Sequence, residues 1–445
     1  MRYLYVTIYN SQVYMNNRFF LLKTSAISFL VFFSTSVFAQ YPDLKYANYV
    51  YDDLVETVIM TRNGSIYNPV PIIGLGSVNS LVLKFDKLEA SNEFYQYTYV
   101  HCSSNWEPSN LQKSEYIEGQ TMGEVKSFTF SSNTFQQYVN YKMTFPSADM
   151  KLTKSGNYLI KIFRNFDEND LVLTQRFMMV ENVAKVDATV KPATGPKDRF
   201  SKQEVDFDVD YENYSIQNPF NDVKAVILQN NSWNSAIFNL KPVFVNNNVL
   251  SFNYEDENLF LGTNEYRFFD IRTLRLFSLN VREKFTDSMV NVVLRGDESR
   301  AHLEYVQMAD YNGKRVIQST DGMDVTEQGD YALVHFTFRS EQPISAGDIY
   351  LYGEMTNWQI HPKYKLTYFP AIKAYYTKVK LKQSYYNYQY VVLDEEEEKA
   401  DFAFTEGNHS ETENDYQILI YHYDLFYGYD RLIASGTANS RDTRR

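Results

Sequence analysis

The sequence contains a single cysteine, Cys102, in 445 residues. An internal disulfide needs two thiols, so the stability of this chain must come from packed cores rather than from cross-links. A lone thiol can act as a nucleophile, but a free cysteine more often fills a small buried apolar space. We therefore expect Cys102 to be a core residue.

Basic charge and chain-breaking residues are also scarce. There are 43 Lys and Arg residues against 55 Asp and Glu, which gives a formal net charge of −12. This deficit argues against a nucleic-acid partner, because phosphate binding needs a basic face. Gly (17) and Pro (12) are few, whereas Tyr (38) and Phe (32) are abundant. Aromatic side chains suit pleated, half-buried surfaces, so the composition favours strands.

The first 39 residues lack any acidic side chain and are typical of an export signal. A basic start precedes the apolar stretch Ala26–Val37, and small residues then precede a cleavage point between Ala39 and Gln40. Met15 is an alternative start that keeps every part of the signal. The apolar stretch is shorter than a usual membrane span, although an uncleaved anchor is the alternative. We expect cleavage and an exported mature protein, without lipid attachment because position 40 is not cysteine.

Alternation of apolar and polar residues with a period of two recurs along the chain. Val205, Phe207 and Val209 alternate with acidic residues, and similar patterns occur around residues 81–85, 332–338 and 386–392. This period is that of half-buried strands. Helical spacing is nearly absent, and Thr134–Met143 is the best candidate for one short helix. The sequence therefore predicts an all-β fold of tandem immunoglobulin-like or early-set antiparallel β-sandwich domains.

Shifts in composition suggest where the domains begin and end. We predict a first domain over residues 46–182, a second β domain over 183–325 and a third over 330–430. Residues 436–445 have the composition of a flexible tail. The acidic run Glu395–Glu398 is expected to be a solvated loop between strands, because like charges so close together repel each other.

Nothing in the sequence is arranged for catalysis. The six histidines are scattered without metal-ligand spacing, and the nucleophile elbow, phosphate-binding loop and zinc-protease motifs are missing. His101 and Cys102 are neighbours on a predicted strand, so their side chains should leave opposite faces and not form a dyad. We predict a non-enzymatic protein that needs no cofactor and no metal.

The third domain contains Gly353 followed by Asn357 and Trp358, then an aromatic strand that includes Tyr388. This order resembles the glycogen-binding, early-set immunoglobulin-like modules, in which the tryptophan of the motif stacks on sugar rings. The resemblance implies a glycan or partner contact through Trp358, Tyr352 and Tyr388. The alternative is that Trp358 packs beneath its own loop.

A second resemblance covers more of the chain. The chain contains a His-Cys-x-x-x-Trp segment followed by Pro-x-x-Leu, and then a Ser-Gly-Asn-Tyr segment. The same order of elements continues into a segment near residue 267. The matching residues in the first domain are His101, Cys102, Trp106, Pro108, Leu111, Ser155, Gly156, Asn157 and Tyr158. In this pattern the sequence resembles the plug protein of the bacterial type IX secretion translocon.

The resemblance implies a periplasmic protein that closes the inner mouth of a large outer-membrane barrel, without catalytic residues. It implies one partner, the translocon barrel protein, and it gives the motif residues a structural role. An exported carbohydrate-binding protein that uses an aromatic surface of the third domain is the alternative. A scaffold subunit of another envelope complex is a third hypothesis.

Overall fold

A computed structural model describes residues 41–65, 70–394 and 399–442. The export signal with its cleavage point, the acidic run Glu395–Glu398 and residues 443–445 lie outside the described residues. The described chain is built from β-strands with a few single-turn helices. The helices are α1 (Lys113–Tyr116), α2 (Pro219–Asp222), α3 (Val325–Gln328) and α4 (Ala403–Glu406), with 3₁₀ turns at Glu354–Thr356, Pro362–Tyr364 and Pro370–Ile372.

The first twelve strands pair among themselves and form the first sandwich. They are β1 (Tyr49–Val50), β2 (Val55–Arg62), β3 (Ile72–Gly74), β4 (Leu81–Lys87), β5 (Tyr95–Cys102), β6 (Ile117–Gly119), β7 (Gly123–Glu124), β8 (Ser127–Phe130), β9 (Val139–Phe145), β10 (Met150–Leu152), β11 (Gly156–Arg164) and β12 (Leu171–Val180). One sheet has the order β1-β12-β11-β5-β7 with β3 parallel to β12, and the other has the order β2-β4-β9-β8. A small β10-β6 pair completes the sandwich. Its core is rich in buried rings, with Phe85 stacked on Tyr141 at 5.1 Å between centroids.

The second sandwich uses strands from two distant parts of the chain. They are β13 (Lys185–Pro192), β14 (Lys202–Asp210), β15 (Val223–Gln229), β16 (Ser232–Leu240), β17 (Phe244–Asn246), β18 (Val249–Phe252), β19 (Leu259–Leu261), β30 (Asp415–Asp424) and β31 (Tyr429–Asn439). One sheet has the order β13-β14-β18-β17 with β19 beside β14, and the other has the order β16-β15-β30-β31. The core residues of β15 and β30 pack together against those of β14.

The third sandwich lies between those two parts of the second in chain order. Its strands are β20 (Arg267–Asp270), β21 (Val281–Thr286), β22 (Val290–Leu294), β23 (Arg315–Val316), β24 (Tyr331–Arg339), β25 (Asp348–Tyr352), β26 (Thr367–Phe369), β27 (Ala374–Lys382), β28 (Tyr385–Asp394) and β29 (Lys399–Asp401). The long strand β28 pairs with β20, β23, β25 and β29, and the facing sheet has the order β21-β22-β24-β27-β26. Within it β22 and β24 are parallel.

The predicted all-β fold of antiparallel sandwiches is confirmed, and so is the alternation on β14. Val205, Phe207 and Val209 are at most 3% exposed. The acidic row of the same strand does not face water throughout, since Glu204 is buried and pairs with Lys191 at 3.0 Å.

Four predictions about segments are wrong. The proposed helix at Thr134–Met143 is instead the strand β9 over much of its length, because its buried residues alternate as in a strand. The second domain does not run to residue 325, because β20 pairs with β28 in the third sandwich from Arg267 to Asp270. The third domain does not run contiguously to residue 430, because β30 pairs with β15 in the second sandwich from Val223 to Gln229. The tail does not begin at residue 436, because Gly436 pairs with Ile418 inside the sheet.

Candidate functional site

The two halves of the family-like motif lie side by side on neighbouring strands. β5 ends with His101 and Cys102, and β11 begins with Gly156, Asn157 and Tyr158. The antiparallel register places Tyr158 opposite His101 and Asn157 opposite Cys102. Residues separated by more than fifty positions in sequence therefore form one continuous patch at the end of the first sandwich.

His101 is enclosed by aromatic rings. Its side chain is 1% exposed, and its Nε2–H donates to the Ser155 carbonyl at 3.0 Å. The rings of Tyr158 and Tyr429 lie 4.9 and 5.4 Å away. Burial lowers the pKa of His101 to about 4, so the imidazole is neutral near pH 7. The residue acts as a packed ring with one hydrogen bond.

Cys102 points to a different set of neighbours. It is fully buried in an apolar cluster with Leu159, Met178 and Leu419, whereas His101 contacts the rings of the first core. Burial raises the pKa of the Cys102 thiol to about 12, which leaves almost no thiolate at neutral pH. This arrangement fits the prediction that the two side chains leave opposite faces, and it does not provide an activated nucleophile.

Gly156 and Asn157 contact the second sandwich directly. Gly156 has φ +124°, and a Cβ at this position would lie 2.8 Å from His101 Nε2 and 2.9 Å from the Asp430 carbonyl oxygen. The Asn157 amide donates to the Ser103 carbonyl at 2.9 Å and accepts from the Tyr421 hydroxyl at 2.7 Å. Glycine is thus required by both close approach and backbone conformation.

Trp106 belongs to an aromatic cage around one cation. It lies in the left-handed region with φ 65°, is 2% exposed, and contacts Trp233 of β16 edge to face at 4.9 Å. The Arg176 guanidinium lies 4.4 Å from the Trp106 ring centroid and donates through Nε to the Tyr46 carbonyl at 2.8 Å. Burial lowers the pKa of Arg176 to about 10. Pro108, which is exposed, bridges back to Cys102 and closes the loop that holds Trp106.

Ionic and polar contacts complete this junction between the first and second sandwiches. The Ser104 amide donates to Asp430 at 2.8 Å. The guanidinium of Arg431 pairs with Glu181 at 2.6 Å, and the Ser155 hydroxyl donates to the same carboxylate. The motif residues therefore join two sandwiches rather than form a reaction centre.

A buried ion pair joins the first sandwich to the third. Lys382 Nζ lies 2.7 Å from Asp86, and the two side chains are 2% and 0% exposed. The same carboxylate accepts from the Tyr331 hydroxyl and from the Asn140 amide, each at 2.7 Å. The Lys382 ammonium also lies 4.0 Å from the centroid of the Tyr138 ring. A charge pair this well satisfied fixes how the two sandwiches meet.

The three aromatic residues proposed as a glycan contact are buried. Trp358, Tyr352 and Tyr388 are 8%, 3% and 3% exposed. Trp358 packs against Tyr352 at 5.6 Å, and its carbonyl accepts from Asn234 of the second sandwich at 2.8 Å. The Tyr388 hydroxyl donates to Asp297 within the third sandwich. These contacts argue against direct stacking on a sugar and favour packing beneath the loop.

Sequence reasoning missed the partners of the motif residues. Trp233, Tyr421 and Asp430 come from a different sandwich, and Asp430 follows Ser104 by 326 positions. A local pattern carries no signal for contacts at such a separation. Tyr421 lies in a mostly apolar and aromatic run that is typical of a buried strand, but nothing in that run identifies its partner.

The described residues contain no group of three or more His, Cys, Asp or Glu side chains placed to hold a metal ion. Over the same residues no helix has the length and apolar character needed to cross a membrane.

Comparison with known proteins identifies a family that this chain resembles. The first domain of the type 9 secretion system plug protein matches residues 55–181, a range that contains all the motif residues from His101 to Tyr158. A crystal structure of a hypothetical protein from Parabacteroides merdae ATCC 43184 is similar, with a TM-score of 0.85 and 30% sequence identity. The similarity covers 89% of this chain and 100% of that chain. No curated protein matches the chain. The resemblance found in the sequence is confirmed, and the chain belongs to the type IX secretion system plug protein family.

Proposed function

We propose that this protein is a non-enzymatic periplasmic plug that binds the inner mouth of the type IX translocon barrel and closes it between cargoes. The observation that carries the proposal is the plug-domain match over residues 55–181, within a chain that is similar to a solved structure over 89% of its length. The periplasmic location is proposed from the plug family, and the export signal predicted in the first 39 residues supports it.

The junctions described above suit this role. A plug must resist deformation when it covers a wide opening, so its parts have to hold a fixed arrangement. The Trp106–Trp233 contact and the Asp86–Lys382 pair are both buried and join different sandwiches. Buried contacts of this kind are costly to break, which supports a body that docks as one unit.

The carbohydrate-binding hypothesis has less support. Sugar recognition needs aromatic faces that a ligand can reach, and the rings of Trp358, Tyr352 and Tyr388 are covered by protein. The absence of catalysis is likewise part of the proposal. It is supported by the burial of His101 and Cys102, the two chemically reactive residues of the motif.

Binding is tested by capture from the cell envelope. An affinity-tagged full-length chain is expressed in its own host, and detergent-solubilised membranes are passed over the resin. We expect the large outer-membrane translocon barrel to be recovered and identified by mass spectrometry. Failure to recover the barrel, together with retardation of the protein by soluble glucans in native gels, would overturn the proposal in favour of glycan binding.

Closure is tested separately. The purified barrel is placed in liposomes loaded with a small dye, and leakage is followed with and without the protein. We expect the protein to slow leakage at concentrations that saturate binding. Unchanged leakage at saturation would show that the protein binds the barrel without closing it, and the plug function would be overturned. Cell fractionation checks the location, which is wrong if the mature chain stays in the cytoplasm.

A further inference from the structure

The strand β8 (Ser127–Phe130) forms an open edge of the first sandwich. It pairs with β9 and with no other strand among the described residues. Just beyond its end the Ser132 amide donates to the Glu327 carbonyl at 2.9 Å, so the open part of the edge is β8 itself. The Ser131 amide donates to the Tyr138 carbonyl at 2.8 Å, so Ser131 and Tyr138 form a hydrogen-bonded pair of the antiparallel ladder. Because such pairs alternate, the backbone N–H and C=O groups of Phe128 and Phe130 point away from β9 towards the open edge.

The aromatic core of the first sandwich reaches the surface at this edge. Tyr141 lies at its centre, 4.9 Å from Tyr95, and its ring is 6.0 Å from Phe128. Phe128 contacts Phe130 at 5.8 Å. The inner two rings are at most 1% exposed, whereas Phe128 and Phe130 are 39% and 47% exposed. The partly exposed rings of Phe128 and Phe130 thus extend the aromatic core of the first sandwich to the surface at β8.

This edge also lacks the protection that exposed strands usually carry. Natural edge strands are blocked by charged side chains, proline or bulges. The strand β8 itself contains no charged side chain and no proline, although 22% of the whole chain is charged, and the nearest charges are Lys126 before it and Lys142 opposite Ser127. The edge strand β21 of the third sandwich, by contrast, carries Arg282, Glu283 and Lys284.

We propose that β8 is a docking edge that accepts one extended strand of the translocon barrel protein, with uncharged apolar residues at alternate positions. The open backbone groups would hydrogen-bond to the incoming strand, and its apolar side chains would cover Phe128 and Phe130. The inference rests on the proposed function, since it names the surface through which the plug is held.

A second copy of this chain is the competing occupant of the edge. Pairing of two copies through β8 would bring together two molecules in each of which acidic residues clearly outnumber basic ones. Their mutual repulsion disfavours such a dimer, whereas a neutral strand from another protein meets no such opposition.

The test compares Phe130→Lys with Phe285→Lys. Both replace a phenylalanine of similar exposure, 47% and 43%, on an edge strand, and the second lies on the charged strand β21. Capture of the barrel is measured as described above, with the urea midpoint of each variant as a folding check. We expect Phe130→Lys to weaken capture about tenfold or more, and Phe285→Lys to leave it unchanged.

Photo-crosslinking provides a readout that does not depend on stability. Benzoylphenylalanine at position 130 should crosslink to the barrel protein in intact cells, and at position 285 it should not. In the purified complex, amide hydrogen exchange should slow at Phe128 and Phe130 but not along β21.

The outcomes separate the two proposals. If the wild-type chain does not capture the barrel, the proposed function fails and the docking edge falls with it. If the wild type captures the barrel but the two lysine variants behave alike, the docking edge alone is overturned. A crosslink from position 130 to a second copy of the chain also overturns it.

Discussion

Lys382 reaches from the third sandwich into the first and ends against the carboxylate of Asp86. Both side chains are at most 2% exposed, so the pair depends on its own geometry and on the added hydrogen bonds from Tyr331 and Asn140. Burial lowers the pKa of Lys382, and the attraction of Asp86 opposes this shift. At the scale of single residues, the sandwiches are joined by buried polar groups whose hydrogen bonds are satisfied, and not by disulfides.

Removing one partner of that pair should be costly. Lys382→Met leaves Asp86 buried without a cation, and we expect the free energy of unfolding to fall by about 3–5 kcal/mol. Urea titration followed by tryptophan fluorescence measures the change. The matched control is Lys151→Met, which removes an exposed pair with Glu118 at 3.7 Å and should cost less than about 1 kcal/mol. Equal losses in the two variants would contradict this interpretation of the junction.

His101 should make stability depend on pH. Its pKa is lowered to about 4 in the folded protein and is ordinarily near 6.5, so below pH 6.5 the unfolded chain binds a proton that the folded one does not. The stabilisation is complete above pH 6.5 and is lost as the pH falls towards 4. Between pH 7.5 and 5 the wild type should lose about 2 kcal/mol more than His101→Gln. Parallel stability curves for the two proteins would show that burial of this imidazole has no such effect.

At the scale of elements, the start of β11 has the tightest requirement in the motif. Gly156 is in the left-handed region, and a side chain there would meet both His101 and the backbone of Asp430. The contact involves the ends of two strands from different sandwiches. A small change at this position therefore affects the fit of one sandwich on the other.

Gly156→Ala should destabilise the protein by about 1–3 kcal/mol through backbone strain and displacement of the His101 ring. Gly195→Ala is the control, because a Cβ at Gly195 meets nothing within 4 Å. That variant should stay within about 0.5 kcal/mol of the wild type. Urea midpoints measured on both proteins check the difference, and an undisturbed midpoint in Gly156→Ala would show that the junction can relax.

Strand identity could be predicted from the sequence because it depends on local alternation. The pattern around Val205, Phe207 and Val209 identified β14 without knowledge of its neighbours. The boundary of the third domain could not be predicted, because the apolar and aromatic sequence of β30 would suit a strand of either sandwich. For the candidate site, the motif residues were recognisable, but their burial depended on Tyr421 and Asp430, which are distant in sequence.

At the scale of the whole molecule, the second sandwich is completed by the last strands of the chain. β30 pairs with β15 along seven residues and with β31 along its entire length. The same strands carry Tyr421 and Asp430, which hold the first sandwich. The C-terminal segment thus contributes to one core and to one junction.

Truncation should therefore act on the whole molecule. A chain that ends at Asp430 loses most of β31, and we expect it to be insoluble or to show strongly reduced β signal in circular dichroism. A chain that ends at Asp442 keeps every described strand and should match the wild type. Limited proteolysis gives a second measure, in which the shorter chain should be cut within residues 183–262. A soluble, protease-resistant chain ending at Asp430 would contradict the role given to β31.

The interruption of the second sandwich by the third also sets an order of assembly. During synthesis or export the N-terminal part of the chain appears first. The strand β15, with Ala225 and Ile227 on its core side, is therefore available some 190 residues before its partner β30. The first and third sandwiches have all their strands by then, so they can fold while the second still lacks β30 and β31 and exposes an apolar face. Such a face is prone to aggregation during the delay. Newly made chains should therefore depend on holding chaperones until β30 and β31 are available. The last step of folding is then the addition of these two strands to the second sandwich, after the inserted third sandwich has formed.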